Sequence, residues 1–220
     1  MNFAGFLFFS SLEYFSLFCL MLVLFRFEVK DNLIKFGVFS LVLCFVSNTL
    51  QMESLQTVSP LIHISLYIFF FIFFLRIHVL NAAIMAVTGQ VVFFIVQTIL
   101  IVLVLQLGLL EEIAPYTKNA FIIQAATAFT MFMIALVTYF QKGGFSFIDN
   151  SSKFKRKRIF VKENRLFIIF FTLSVIVTVW ANLLFLISKK PPFLFISFFL
   201  FIVLVGLIYT SMKRDGTKNG

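Results

Sequence analysis

From Leu80 to Leu110 the chain runs for 31 residues without one Asp, Glu, Lys or Arg. As a single helix, at about 1.5 Å per residue, that is about 46 Å, more than the ~30 Å hydrocarbon layer of a bilayer demands. Such a run either tilts or breaks near Gly89 and leaves its first turns at the interface. It has company. Apolar runs of suitable length recur at Phe6–Phe25, Ile34–Leu50, Leu61–Leu75, Ala82–Leu109, Ala120–Phe140, Leu166–Ile187 and Phe193–Thr210. The chain is 61% apolar and 12% charged, with 35 Phe among 220 residues, against about 45–50% and about 25% in soluble domains. A globular core cannot bury that much apolar side chain, whereas a lipid solvent accepts it on the outside. The expectation is an all-α, polytopic transmembrane bundle of about seven spans, one domain over residues 1–220.

The loops between these runs are charged unequally. Arg26, Lys30, Lys35, Arg76, eight Lys and Arg from Lys142 to Arg165, and Lys213, Arg214 and Lys218 place 15 cations in one set of alternate loops and the tail. The other set holds three, Lys118, Lys189 and Lys190, beside Glu53, Glu111 and Glu112. The positive-inside bias sends the larger set to the cytoplasm. That puts the N-terminus outside and the C-terminus inside, as an odd number of spans requires. The first run has no preceding Lys or Arg, is interrupted by Glu13 and lacks a small-x-small cleavage site, so it reads as a helix that stays rather than a secretory signal. High Phe, Ile, Lys and Asn content fits an AT-rich bacterial genome, and the expected location is the plasma membrane, multi-pass.

Seven cations fall within "DNSSKFKRKRIFVKENR", Asp149–Arg165, in the basic cytoplasmic loop 141–165; a short tail occupies 211–220. The plain reading of this loop is topogenic: its Lys and Arg resist translocation. A second reading has Lys153, Lys155, Arg156, Lys157 and Arg158 holding anionic lipid head groups, at about 1 kcal/mol per cation near the surface. Nucleic acid is not an expected partner, because orientation already accounts for the net charge of +9.

An ionised carboxylate at the bilayer centre costs about 2.5–3.5 kcal/mol on insertion scales. Glu13 is the one acidic residue deep in a span, among Ser10, Ser11, Tyr14 and Ser16. It faces the bundle interior as a ligand or ion-coupling group, or else it is an outer-leaflet Glu that is protonated or reaches up to water. Gln90 and Gln97 share one helical face and Gln106 lies almost opposite, while Gln124, Thr127 and Thr130 come on the next span. Helix-to-helix packing accounts for such amides and hydroxyls, and a polar cavity is the alternative. Trp180, toward the outer end of span six, suits an aromatic belt. The candidate ligand-binding set is Glu13, Gln90, Gln97, Gln124 and Trp180.

His63 and His78 have no second ligand at metal spacing, and neither HExxH nor Gly-x-Ser-x-Gly occurs. Cys19 and Cys44 sit in apolar spans as small hydrophobes. No catalytic residue, metal or cofactor is expected.

In layout the chain resembles the membrane-embedded input region of peptide-pheromone receptor histidine kinases of the accessory-gene-regulator receptor type. The likeness lies in "FFLRIHVLNAAIMAVTGQVVFFIVQTIL" (Phe73–Leu100), a basic turn feeding a long polar-dotted helix. It lies also in the basic loop before a closing hairpin, "KKPPFLFISFFLFIVLVGLIYTSMKRD" (Lys189–Asp215). The resemblance implies a sensor for a peptide or hydrophobic signal, working as a homodimer or with a separate kinase partner, because the family's phospho-accepting His and ATP-binding boxes have no counterpart here. A small multispan transporter or permease subunit is the competing class. Broken helices and paired half-repeats would favour it, and only Gly89 suggests a break.

Overall fold

A computed structural model describes residues 3–52, 55, 58–109, 116–145, 168–170, 172–177, 180 and 193–218. The regular elements among the described residues are all helical. They are α1 (Phe3–Leu24), a 3₁₀ turn (Lys30–Asn32), α2 (Leu33–Met52), α3 (Ser59–Phe74), α4 (Val79–Gln106), α5 (Lys118–Phe140) and α6 (Phe193–Lys218). Short helical stretches at 168–170 and 172–177 lie between α5 and α6. Lys153, Lys155, Arg156, Lys157 and Arg158 fall outside the described residues.

Local chemistry sets the helix ends. Pro60 sits in the first turn of α3, where its missing N–H is no loss. Thr117 caps α5 by accepting from the Ala120 amide at 3.2 Å. α1 closes with Phe27 N–H on Leu22 O at 2.9 Å and Arg26 N–H on Val23 O at 3.1 Å, a Schellman pair. α5 closes likewise, with Gly143 on Thr138 O and Lys142 on Tyr139 O. The left-handed residue after α4 is Gly108 (φ 63°), whereas after α1, α3 and α5 it is Arg26, Arg76 and Lys142 (φ 55°, 54° and 50°). A cation in that place accepts some backbone strain and offsets it by facing the negative end of the helix dipole.

Contacts fix the helix directions. α1 meets α3 in register, Tyr14 beside His63 and Phe18 beside Tyr67, Phe70 and Phe71. Arg26 reaches the carbonyls of Lys142 and Gly143, so α5 also runs parallel to α1. Against α2 the order reverses: Phe18 meets Phe36, and Cys44 meets Leu7. Against α4 it reverses too, with Met21 on Gly89 and Gln97 on Glu13. The ends of α1, α3 and α5 therefore share one side, and Arg26, Arg76 and Lys142 gather there.

α4 is one unbroken helix through Gly89. Here the glycine serves close approach rather than a break: a Cβ on it would run into the Met21 side chain. The 28 residues of α4 extend about 42 Å. Among the described residues four helices, Phe3–Leu24, Lys30–Gln51, Val79–Gln106 and Lys118–Phe140, are long and apolar enough to cross a membrane. α3, with 16 residues, reaches about 24 Å, less than the ~30 Å hydrocarbon layer.

The outer surface of the bundle is apolar. Ile34 is 85% exposed and Phe140 77%, and Phe8, Phe69, Phe73 and Phe129 also face outward. Inside, Leu17, Phe18, Leu20, Met21 and Leu22 of α1 are fully buried against α2, α3 and α4. Phe18 is the hub, with ring centroids of Phe36, Phe39, Tyr67, Phe70 and Phe71 all 5.0–6.1 Å away.

Candidate functional site

One helical turn before that hub, α1 turns polar. Ser10, Glu13 and Tyr14 lie at i, i+3 and i+4 and share a face. Around this face α2 brings Ser47 and Gln51, α3 brings Ser59 and His63, α4 brings Gln90 and Gln97, and α5 brings Gln124. Together they line a cleft of about 320 Å³. Gln51 near the close of α2, and Ser59 and Pro60 at the start of α3, set the cleft at the end of the bundle where α1 begins.

Glu13 is 5% exposed, and its Oε1 receives the Gln97 amide at 3.5 Å. That contact is long and neutral. Gln124 donates to Ser10 Oγ at 3.0 Å. His63 forms a tighter arrangement: its Nδ1 stands 2.7 Å from the Ser59 carbonyl and its Nε2 3.0 Å from the Tyr14 hydroxyl. A carbonyl only accepts, so Nδ1 carries the hydrogen and Nε2 takes the one offered by Tyr14. Both ring nitrogens and the Tyr14 hydroxyl are thereby committed. The Tyr14 and His63 rings also stack, with centroids 5.4 Å apart and planes 17° from parallel.

Other groups are not committed. The side-chain oxygens of Gln51, Gln90 and Gln124 are buried without a donor among the described residues, and Gln90 as a whole is 7% exposed. A buried acceptor left unpaired costs about 1–3 kcal/mol. All three glutamines line the cleft that holds Glu13.

Of the five candidates from the sequence, the fold brings Glu13, Gln90, Gln97 and Gln124 to this cleft. Trp180 stands elsewhere, 40% exposed, its ring 6.4 Å from that of Phe195. The hydroxyls divide from the amides: Thr98, Thr127 and Thr130 each donate to the carbonyl four residues back in their own helix, an arrangement that satisfies them without a partner helix. The amides of Gln97 and Gln124 do cross between helices, from α4 and α5 to α1. Sequence reasoning passed over Ser47, Gln51 and Ser59. Their signal was present as i, i+4 pairs at adjoining helix ends, Ser47 with Gln51 and Ser59 with His63.

Against protein-family models, curated proteins and solved structures, the chain matches none. Its site is therefore read from its own geometry. Among the described residues no group of three His, Cys, Asp or Glu is placed to hold a metal ion, and Cys19 and Cys44 are free and buried.

Proposed function

We propose that the chain is a multi-pass membrane sensor module of about seven spans, with the cleft facing outward and the end bearing Arg26, Arg76 and Lys142 in the cytoplasm. A signal from outside, or partitioned into the membrane, occupies the cleft, and α1 carries the effect to the opposite end. One observation supports this most: the cleft is blind. Below Glu13 the way is closed by the buried side chains from Leu17 to Leu22 and the rings packed on Phe18. A ligand is received and held, with no polar path onward among the described residues.

The far end of α1 is tied to the exit of α5. Phe145 N–H donates to Leu24 O at 2.6 Å, and Arg26 Nη2 to Lys142 O at 3.0 Å. Gly144 (φ 99°) permits this, because a Cβ there would stand 2.7 Å from Leu24 O. A shift of α1 would thus reach the segment that leads into the basic loop. The volume suits a small molecule, or one residue of a peptide, since ligand pockets span about 300–1,000 Å³.

The test uses two cysteines in a protein lacking Cys19 and Cys44. Gln51→Cys is first modified from outside with a bulky impermeant thiol reagent, filling the cleft mouth. The alkylation rate of Gln141→Cys, an exposed position at the other end, is then measured with a permeant reagent. The sensor reading expects that rate to change when the cleft is filled; an unchanged rate contradicts relay. The permease reading gains if vesicles holding the protein exchange labelled amino acids, amines or sugars down a gradient.

A further inference from the structure

The cleft is unevenly furnished. Its lining holds one carboxylate, Glu13, and, among the described residues, neither Lys nor Arg. The two ring nitrogens of His63 and the O–H of Tyr14 are spent on each other and on Ser59. Beside them stand a carboxylate whose donor is a neutral amide at 3.5 Å and the buried oxygens of Gln51, Gln90 and Gln124, which meet no donor among the described residues. Aromatic rings of Tyr14, Tyr67 and Phe93 make up part of the wall.

Each of these features favours the same complement. A buried carboxylate without a counter-charge is costly, and a cation supplies one. Amide oxygens accept N–H donors, and ring faces attract an organic cation more strongly once water is excluded. A strongly hydrated inorganic ion would gain nothing from the rings. We propose that the cleft recognises an organic ammonium group, its N–H donors shared between the Glu13 carboxylate and the glutamine oxygens and its apolar body lying against the rings. This rests on the reading of the cleft as a signal-binding site and names the chemistry of the signal. A small amine and the amino terminus of a peptide both present that group.

The experiment measures binding to the purified full chain in lipid nanodiscs by isothermal titration. The probes are phenethylammonium, its neutral counterpart 2-phenylethanol, and the dipeptide amide Phe-Gly-NH₂ with a free or an acetylated amino terminus. The expected result is that phenethylammonium binds and 2-phenylethanol does not, and that the isosteric Glu13→Gln weakens the ammonium by about tenfold or more, the loss expected for one charge-assisted contact. Gln90→Leu, which keeps the volume and removes the oxygen, should weaken it less. Preference for the free over the acetylated dipeptide assigns the group to a peptide terminus; binding of the small amine alone assigns it to a small molecule. Equal binding of alcohol and ammonium, indifference to Glu13→Gln, or no binding of any ammonium probe overturns the inference. None of these bears on the cysteine relay, which fills the cleft with a tethered thiol reagent and stands or falls separately.

Discussion

The two halves of α1 are built from one continuous helix and behave as different materials. Its first half carries Ser10, Glu13, Tyr14 and Ser16, and the groups opposite are Gln97, Gln124 and His63. Its second half, from Leu17 to Leu24, is packed by rings and methyl groups and is buried as far as Leu22. Most helices of soluble proteins divide their polarity around the axis; α1 divides it along the axis. Stability and function part at that division. The second half holds the bundle together, while the first lines a cleft in which glutamine oxygens of α2, α4 and α5 stand unpaired at a cost to stability. Substitutions should therefore act in opposite senses in the packed half of α1 and around the cleft.

The largest expected effect comes from Phe18→Ala. It removes the ring on which five others pack, and truncating a fully buried Phe costs about 3–5 kcal/mol. Unfolding in mixed micelles should show a loss of this order. A loss below about 1 kcal/mol would mean that the apolar half is loosely packed, since it would match an average point substitution.

Gly144→Ala comes next. The left-handed φ and the Cβ approach to Leu24 O together should cost about 1–3 kcal/mol. The same change should release the end of α1 from the α5 exit and raise the alkylation rate at Gln141→Cys with the cleft empty. A variant as stable as the parent, with the same rate, would break the link drawn between the two ends.

Gln90→Leu reverses the sign. It replaces a buried amide oxygen without a donor by hydrocarbon of similar size, so stability should hold or rise by about 1 kcal/mol. A marked loss would show that Gln90 is a packing residue. Smallest of all, Gln106→Leu, at an exposed position near the end of α4, should change stability by less than about 0.5 kcal/mol; a larger change would give the α4 end a structural role that its exposure does not suggest.

Much of this layout is legible in the residues. Long apolar runs mark α1, α2, α4 and α5 because such a run has few other stable outcomes than a helix in lipid. The face shared by Gln90 and Gln97 comes from spacing alone, and both line the cleft. Spacing does not convey which helices become neighbours. Glu13 meets Gln97 across 84 positions and Ser10 meets Gln124 across 114, and a single chain carries no mark of such pairings. Gly89 is ambiguous for a related reason: as a lone glycine it allows a break as well as an unbroken tilted helix, and only the presence of Met21 shows that it makes room. Trp180 misleads, a large aromatic whose place beside Phe195 has no part in the cleft.

A cleft that opens on one side of the membrane and is sealed on the other is the heart of the proposed function. Two single-cysteine proteins test it most directly: Gln51→Cys in a background without Cys19 and Cys44, and the native Cys19 alone with Cys44→Ala. An impermeant thiol reagent is applied to sealed cells and then to permeabilised ones. Gln51→Cys should label from outside in sealed cells, and Cys19, buried in the apolar half, should label in neither. Labelling of Cys19 from either side, or labelling of Gln51→Cys only after permeabilisation, would mean that the cleft is not blind or does not face outward.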